Sequence, residues 1–195
     1  MRSTLVCIVL ACQLVGCALL APTETESVPY IAQENEAKLL AIENWGLVGR
    51  LALHKANDSW VLKVNWLHTE QVDRLKLSST LGGTLATILH SKGQVVISNS
   101  EGTQYLKDAE EIESVLGFDP KIDYLKYWVR GLRVPGLAVK NSLVENTPSV
   151  FFEQAGWLIK QQRYRYEKGV WLPNKVTVSE SEIKIKLVVD EWLKF

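Results

Sequence analysis

Hydrophobic and polar positions along this chain alternate with a period of two over much of its length. In Trp60-Val61-Leu62-Lys63-Val64-Asn65-Trp66, the side chains of Trp60, Leu62, Val64 and Trp66 share one face of an extended strand. Arg74-Leu75-Lys76-Leu77 alternates in the same way. So does Ile183-Lys184-Ile185-Lys186-Leu187, which puts Ile183, Ile185, Leu187 and Val189 on one face and the lysines on the other. Further strands fit 46–55, 85–90, 94–99, 103–106, 149–155, 157–166 and 175–179. Strands with one apolar and one polar face belong in an antiparallel sheet, and no strand–helix–strand rhythm is present.

Three segments break this alternation. Residues 31–44 place Ile31, Ala32, Leu39 and Ile42 at roughly helical spacing, which predicts a first helix. Asp108 is positioned to cap Ala109–Leu116, with Gly117 as its stop. Asp123 is read as the cap of Tyr124–Arg130, ending at Gly131 before the loop Arg133-Val134-Pro135-Gly136. Ile112, Val115 and Leu116 line one side of the former helix, and Leu125, Trp128 and Val129 line the latter. The expected architecture is mainly β (α+β): a curved antiparallel sheet of about ten to eleven strands facing a small set of helices. No internal repeat and no domain boundary is apparent after residue 31. A strongly bent sheet with few covering helices leaves an apolar cavity wherever its concave face is unfilled. The candidate lining is Trp60, Leu62, Val64, Trp66, Leu75, Leu77, Ile183, Ile185 and Leu187. Seven tryptophans suit a wide pocket, although plain core filling accounts for most of them.

Composition narrows the function. A chain of 195 residues that is 47% hydrophobic can bury a real core, which excludes disorder for most of its length. Its 22 basic and 22 acidic residues cancel, so a dedicated nucleic-acid binder is excluded. The charges are unevenly spread: residues 17–120 carry 8 basic and 14 acidic side chains, residues 121–195 carry 13 and 8. The three cysteines are Cys7, Cys12 and Cys17, which rules out a disulfide framework or a thiolate metal site in the body of the protein. His54, His68 and His90 show no metal-ligand spacing and read as ordinary surface or sheet residues. No GxSxG elbow, Walker loop or HExxH occurs, and Gly82-Gly83 lacks a following Lys-Ser/Thr. Asp108-Ala109-Glu110-Glu111 reads as the first turn of a helix, where negative charge is favoured. No catalytic set, cofactor or metal is expected.

The N-terminus reads as an address. Met1-Arg2-Ser3 supplies a positive start, and Leu5–Val15 an apolar run broken only by Gln13. A run of about eleven residues is too short to span roughly 30 Å of hydrocarbon, so it reads as an export signal. It ends in Leu14-Val15-Gly16-Cys17, which resembles the bacterial lipobox. That resemblance implies diacylglycerol on the Cys17 sulfur, cleavage after Gly16 and acylation of the new amino group. A thiolate is the side chain nucleophilic enough to take the lipid at neutral pH. The resemblance also implies outer-membrane sorting, because Ala18 follows the cysteine where aspartate would retain the protein in the inner membrane. The chain is thus divided into a signal (1–16), a lipidated tether that is small, polar and proline-bearing (17–30), and one folded domain (31–195).

A wider resemblance covers residue 40 to the C-terminus. Its marks are Trp45-x-x-x-Gly49-Arg50-Leu51-Ala52-Leu53, Trp66, Leu75-x-Leu77-x-x-x-Leu81-Gly82, Asp108-Ala109-Glu110-Glu111 and Leu125-x-x-Trp128-x-x-Gly131. Gly156-Trp157-x-Ile159, Leu172-Pro173 and Ile185-Lys186-Leu187-Val188-Val189-x-x-Trp192 complete the order. In this succession the chain resembles the LolB family of outer-membrane lipoprotein receptors. The resemblance implies an unclosed β-barrel with an α-helical lid over a hydrophobic cavity. It implies a periplasm-facing monomer that accepts acylated lipoproteins from a LolA-like carrier and inserts them into outer-membrane lipid. It also places a membrane-inserting leucine at Leu81, in Ser78-Ser79-Thr80-Leu81-Gly82-Gly83. Thr80 stands where relatives commonly have proline, which makes this loop less rigid. Two alternatives keep the same anchor: a tethered binding module for another lipid or amphiphile, and a structural envelope lipoprotein with a filled core.

If Cys17 is the sole covalent anchor, Cys17→Ala leaves a folded protein in the soluble periplasmic fraction. Tight membrane retention of that variant on fractionation would reveal a second anchoring element.

Overall fold

A computed structural model describes residues 33–116, 118–145 and 149–194. The signal, the whole tether with Cys17, the helix positions Ile31 and Ala32, and Gly117 lie outside the described residues. The strands are β1 (Trp45–Lys55), β2 (Asp58–His68), β3 (Val72–Ser78), β4 (Thr84–Ser91), β5 (Gln94–Asn99) and β6 (Gly102–Leu106). After them come β7 (Val139–Glu145), β8 (Ser149–Gln154), β9 (Trp157–Glu167), β10 (Val170–Glu180) and β11 (Ile183–Lys194). The helices are α1 (Gln33–Leu40), α2 (Ala109–Leu116) and α3 (Ile122–Trp128).

All eleven strands form one sheet in the order β6-β5-β4-β3-β2-β1-β11-β10-β9-β8-β7. Every neighbouring pair is antiparallel. Two hairpin meanders thus run outward from a central β1–β11 pair, and the edge strands β6 and β7 do not pair with each other. The sheet is an unclosed barrel. Its one long connection, residues 107–138, must pass from one edge to the other, and it carries both α2 and α3. Eleven strands about 4.8 Å apart make an arc of roughly 50 Å, so the segment takes the short way across the concave face. The lid is a product of this topology.

Tight turns keep the two wings in register. Ala155 and Gly156 (φ 53° and 84°) and Lys168 and Gly169 (φ 52° and 88°) are consecutive left-handed pairs, the conformation that matches the twist of a two-residue hairpin. At the centre, a Cβ on Gly49 would lie 2.3 Å from the Val188 carbonyl oxygen, beside the irregularity where β1 shifts register against β11. Only glycine lets the two backbones approach so closely.

The core lies between the concave face and the helices. Trp45, Leu47, Val64, Trp66, Ile159, Val178 and Leu187 from the sheet meet Leu39 of α1 and Ile122, Leu125 and Trp128 of α3, all buried. The opposite face carries Lys63, Lys184 and Lys186, all exposed.

The structure departs from the sequence expectation in three places. Asp123 is not a cap: α3 starts at Ile122, and its flanking residue Lys121 is left-handed (φ 50°) with no side-chain bond to the helix. The Lys121 N–H instead donates to Asp119 Oδ1 at 2.8 Å. Strand β7 shows no alternation because a bulge at Asn141 (φ 50°) interrupts it. Strand β10 begins at Val170, well before residue 175, because it runs through Pro173, which in sequence reads as a strand breaker. The Asp108 cap is present: Asp108 Oδ1 accepts from the Glu111 N–H at 2.9 Å, and Glu111 Oε2 accepts from the Lys107 N–H at 2.7 Å.

Because Gly49 sits against backbone that cannot give, Gly49→Ala should cost about 1–3 kcal/mol of stability by overpacking. Urea unfolding measures it. A cost near zero would mean that the β1–β11 junction relaxes freely.

Candidate functional site: an apolar interior under a pinned helix

Beneath α3 lies a small apolar cavity of about 40 Å³. Of the residues singled out from sequence, Val64, Trp66, Leu75, Ile185 and Leu187 line it. Leu51, Val176 and Val178 join them from the sheet, and Leu125 and Val129 close it from the lid side. Leu62, Leu77 and Ile183 are half-buried further along the same face, toward the end carrying the β1–β2, β3–β4 and β10–β11 turns. Trp60 is the exception. It shares their face but is 43% exposed, because it lies opposite Leu53, near the β1–β2 turn and beyond the reach of the lid. The wide cavity expected from seven tryptophans is not open here: Trp45, Trp128, Trp157 and Trp192 are wholly buried as filling.

The lid is fastened unevenly. At its C-terminal end, Trp128 Nε1 donates to Gln154 Oε1 at 3.0 Å. That oxygen also accepts from the Val134 N–H, while Gln154 Nε2 donates to the Val134 and Leu137 carbonyls. Gln161 Nε2 donates to the Trp128 carbonyl at 2.9 Å, and Tyr164 donates its hydroxyl to Gln161 Oε1 at 2.8 Å. Arg130 completes the fastening. Its guanidinium donates to the carbonyls of Lys126, Leu39 and Ile42 and stands 5.4 Å from the Trp45 ring. Burial lowers its pKa to about 10, so it stays charged at neutral pH.

The N-terminal end of α3 is held more lightly. His90 Nε2 lies 3.3 Å from Asp123 Oδ2, and His90 Nδ1 lies 3.8 Å from Asp73 Oδ2. Asp73 is nearly sealed from solvent and accepts at Oδ1 from Trp66 Nε1 at 2.8 Å and His68 Nδ1 at 2.7 Å. Burial by itself would raise the Asp73 pKa, but the hydrogen bonds from His68 and Trp66 and the neighbouring His90 ring outweigh it and hold the carboxyl at about 2. Beside this end, between the β4–β5 hairpin and the α2–α3 segment, is a second and more polar cavity of about 280 Å³. His90, Asp119, Lys121 and Asp123 line it together with Ile88, Val95 and Ile122.

Leu81 is 98% exposed. Its loop is braced from within: the Ser79 N–H donates to the Gly83 carbonyl at 2.8 Å, the Gly82 N–H to the Ser79 carbonyl at 3.0 Å, and the Gly83 N–H to Ser79 Oγ at 3.2 Å. Gly82 takes φ 110°, which a side chain would disfavour. These bonds satisfy the backbone and leave the leucine side chain projecting.

Sequence reasoning missed the polar fastenings. Gln154, Gln161 and Asp73 are polar residues on strands and Arg130 a charged one at a helix end; residue type alone suggests surface, and only the fold shows them buried and bonded. His68 and His90, read as scattered, meet on either side of Asp73.

Fold and interior define a class: a lidded antiparallel half-barrel with an apolar inside. Residues 43–192 match the family model "Outer membrane lipoprotein LolB". The chain therefore belongs to the LolB family, and it is a lipid-anchored outer-membrane protein of the lipoprotein-localisation machinery. It is similar to the outer-membrane lipoprotein LolB of Nitrosomonas europaea, 32% identical over 92% of this chain and 87% of that one. The corresponding protein of Pseudomonas fluorescens is 26% identical over 92% and 90%. Among solved structures, a DUF1329 family protein from Desulfovibrio piger shares the fold with a TM-score of 0.53 at 6% identity, covering 82% of this chain and 88% of that one.

The depressed Asp73 carboxyl sets a pH dependence. A group held below its unfolded pKa stabilises the fold above that value and loses the effect as pH falls through the folded pKa. Asp73, 3.8 in its ordinary state and about 2 here, should contribute about 2 kcal/mol at neutral pH, lost between pH 4 and pH 2. Asp73→Asn should be destabilised at pH 7 and approach the parent as the pH falls through 2. Parallel acid limbs in denaturation at graded pH would remove Asp73 from the account.

Proposed function

We propose that the protein takes the acyl chains of lipoproteins from a soluble LolA-like periplasmic carrier into the space under α3, then passes them to the outer membrane. The observation that carries this reading is the apolar lining shared by the sheet and by Leu125 and Val129 of the lid side. A sixteen-carbon chain gains on the order of 10 kcal/mol on leaving water. Triacylated clients therefore need an apolar host at every stage of an aqueous crossing. A receiver serves only if it binds them better than the carrier and less well than the bilayer, so that transfer runs downhill by differential affinity.

A cavity of about 40 Å³ has room for a few waters and none for an acyl chain, so loading requires α3 to lift. The fastenings favour lifting from the N-terminal end. His90 and Asp123 separate there, beside the larger cavity, while Gln154, Gln161 and Arg130 hold the other end. Under this reading Cys17 is the lipidated residue, residues 1–16 the export signal and residues 17–30 the tether.

Leu81 separates receiving from inserting. Burying one leucine in the acyl boundary gains about 1.5–3 kcal/mol, enough to hold the mouth of the protein against lipid for a useful fraction of the time. Leu81→Glu replaces that gain with a desolvation cost. The variant is expected to fold, to accept an acylated lipoprotein from purified LolA almost as the parent does, and to release it poorly into liposomes. The two steps are measured separately. Failure of the parent to take client from LolA would overturn the receptor reading, and normal liposome insertion by the variant would show the loop to be idle.

A further inference from the structure

The outer face of the sheet carries a field of lysines. Strand register places them in adjoining rows. Lys184 of β11 lies opposite Ser179 and His54, and Lys186 opposite Thr177 and Ala52. Thr177 in turn faces Lys160 of β9, and Val188 separates Lys175 of β10 from Arg50. On the other side, Arg50 faces Lys63 of β2, which faces Ser78, and Lys76 lies one diagonal step away across Asn65. Rows two residues apart are separated by about 7 Å, so the six lysines form one continuous patch.

That patch is uncompensated. Among the described residues no ion pair engages Lys63, Lys76, Lys160, Lys175, Lys184 or Lys186. Of the acids on this face, Asp190 pairs with Arg50 at 2.8 Å and Glu153 accepts from Asn141 at 3.2 Å, while Glu191 sits at the far end of β11. The Lys175 ammonium is lowered first by burial and then by the repulsion of Lys186, Arg163, Lys160 and Lys184.

The apolar residues on the same face gather at one end. Val61, Leu85 and Leu158 are 59%, 49% and 51% exposed, all near the turns at the end from which Leu81 projects. Lys63 lies opposite Ser78, the last β3 residue before that loop. Exposed aliphatic side chains set among lysines suit the boundary between lipid headgroups and acyl chains.

We propose that this outer face, at its Leu81 end, docks on a membrane surface containing anionic phospholipid. The six ammonium groups face the headgroups while Leu81, Val61, Leu85 and Leu158 reach the acyl boundary. The proposal rests on the reading of Leu81 as the membrane-contacting residue and extends it from one side chain to a whole face. It gives the tethered protein a preferred orientation, with the sheet toward the bilayer and the lid toward the periplasm. Each lysine near an anionic surface is worth about a fivefold gain in binding, screened by salt.

Full-length lipidated protein reconstituted into phosphatidylcholine vesicles, with and without phosphatidylglycerol, provides the test. A brief pulse of an amine-acetylating reagent is read residue by residue by mass spectrometry. Lys63, Lys184 and Lys186 should label about fivefold more slowly in the phosphatidylglycerol vesicles and recover in high salt. Lys107 and Lys126, in the 107–138 crossing segment on the lid side, should label alike in both. In parallel, client delivery should be faster to phosphatidylglycerol vesicles, and the variant Lys63→Gln/Lys184→Gln/Lys186→Gln, first shown to unfold like the parent, should lose that preference. Equal labelling in the two vesicles overturns the proposal. So does protection that appears only when LolA is added, which would make the face a dock for a protein. Either result leaves the Leu81 reading standing, since that reading fails only if Leu81→Glu inserts client normally.

Discussion

The pairing of β1 with β11 is the constraint on which the rest of the structure depends. It brings the first and last strands of the domain together at the middle of the sheet, so each meander must grow outward to a free edge. The two edges, β6 and β7, are consecutive in sequence yet lie at opposite ends of the strand order. The chain between them has to cross the whole concave face, and it does so as helical segments, of which α3 turns Ile122, Leu125 and Trp128 inward. A lid over an apolar interior therefore follows from which strands pair. Gly49 is where this constraint is most local, since the close approach of β1 to the Val188 carbonyl leaves no room for a side chain.

How much of this was legible in sequence follows from what each residue had to satisfy. Strands such as 60–66 and 183–189 bury one face and solvate the other, and a two-residue period records that demand directly. The interior lining was accessible for the same reason: Val64, Trp66, Leu75, Ile185 and Leu187 lie on faces that alternation marks as apolar. Period identifies a face but not how far the cover extends along it, so Trp60 was placed on the correct face yet left outside the lid. Strand β7 and the start of β10 were hidden because a bulge and a proline break the pattern without breaking the sheet. Lys121 has taken up the turn into α3 with its own backbone, in place of a side-chain cap by Asp123.

The buried polar groups were illegible for a different reason. A glutamine on a strand is unremarkable until its partners are known, and those partners lie 17 to 33 residues away in Trp128, Val134 and Leu137. Once buried, such a group must be fully satisfied or it costs more than it gives. Gln154 meets that condition with four bonds from one side chain. Asp73 meets it through Trp66, His68 and His90, at residues that no local pattern connects. These are tertiary statements written in single letters, and the fold is needed to read them.

The division of labour between polar and apolar contacts fits what the proposed function asks of the lid. Hydrogen bonds are directional, so Gln154, Gln161 and Arg130 define where the C-terminal end of α3 sits and leave it little freedom to slide. Dispersion and hydrophobic contacts lack that specificity, so Leu125 and Val129 can exchange the side chains beneath them for methylenes of another molecule at little net change in buried area. A lid sealed by hydrogen bonds throughout would lose several satisfied buried groups on opening. A lid sealed only by aliphatic contacts would have no fixed position to return to. Fastening one end with polar bonds and resting the remainder on apolar surface lets the helix hinge, and the His90–Asp123 contact at the free end sits beside the larger cavity through which a chain would enter.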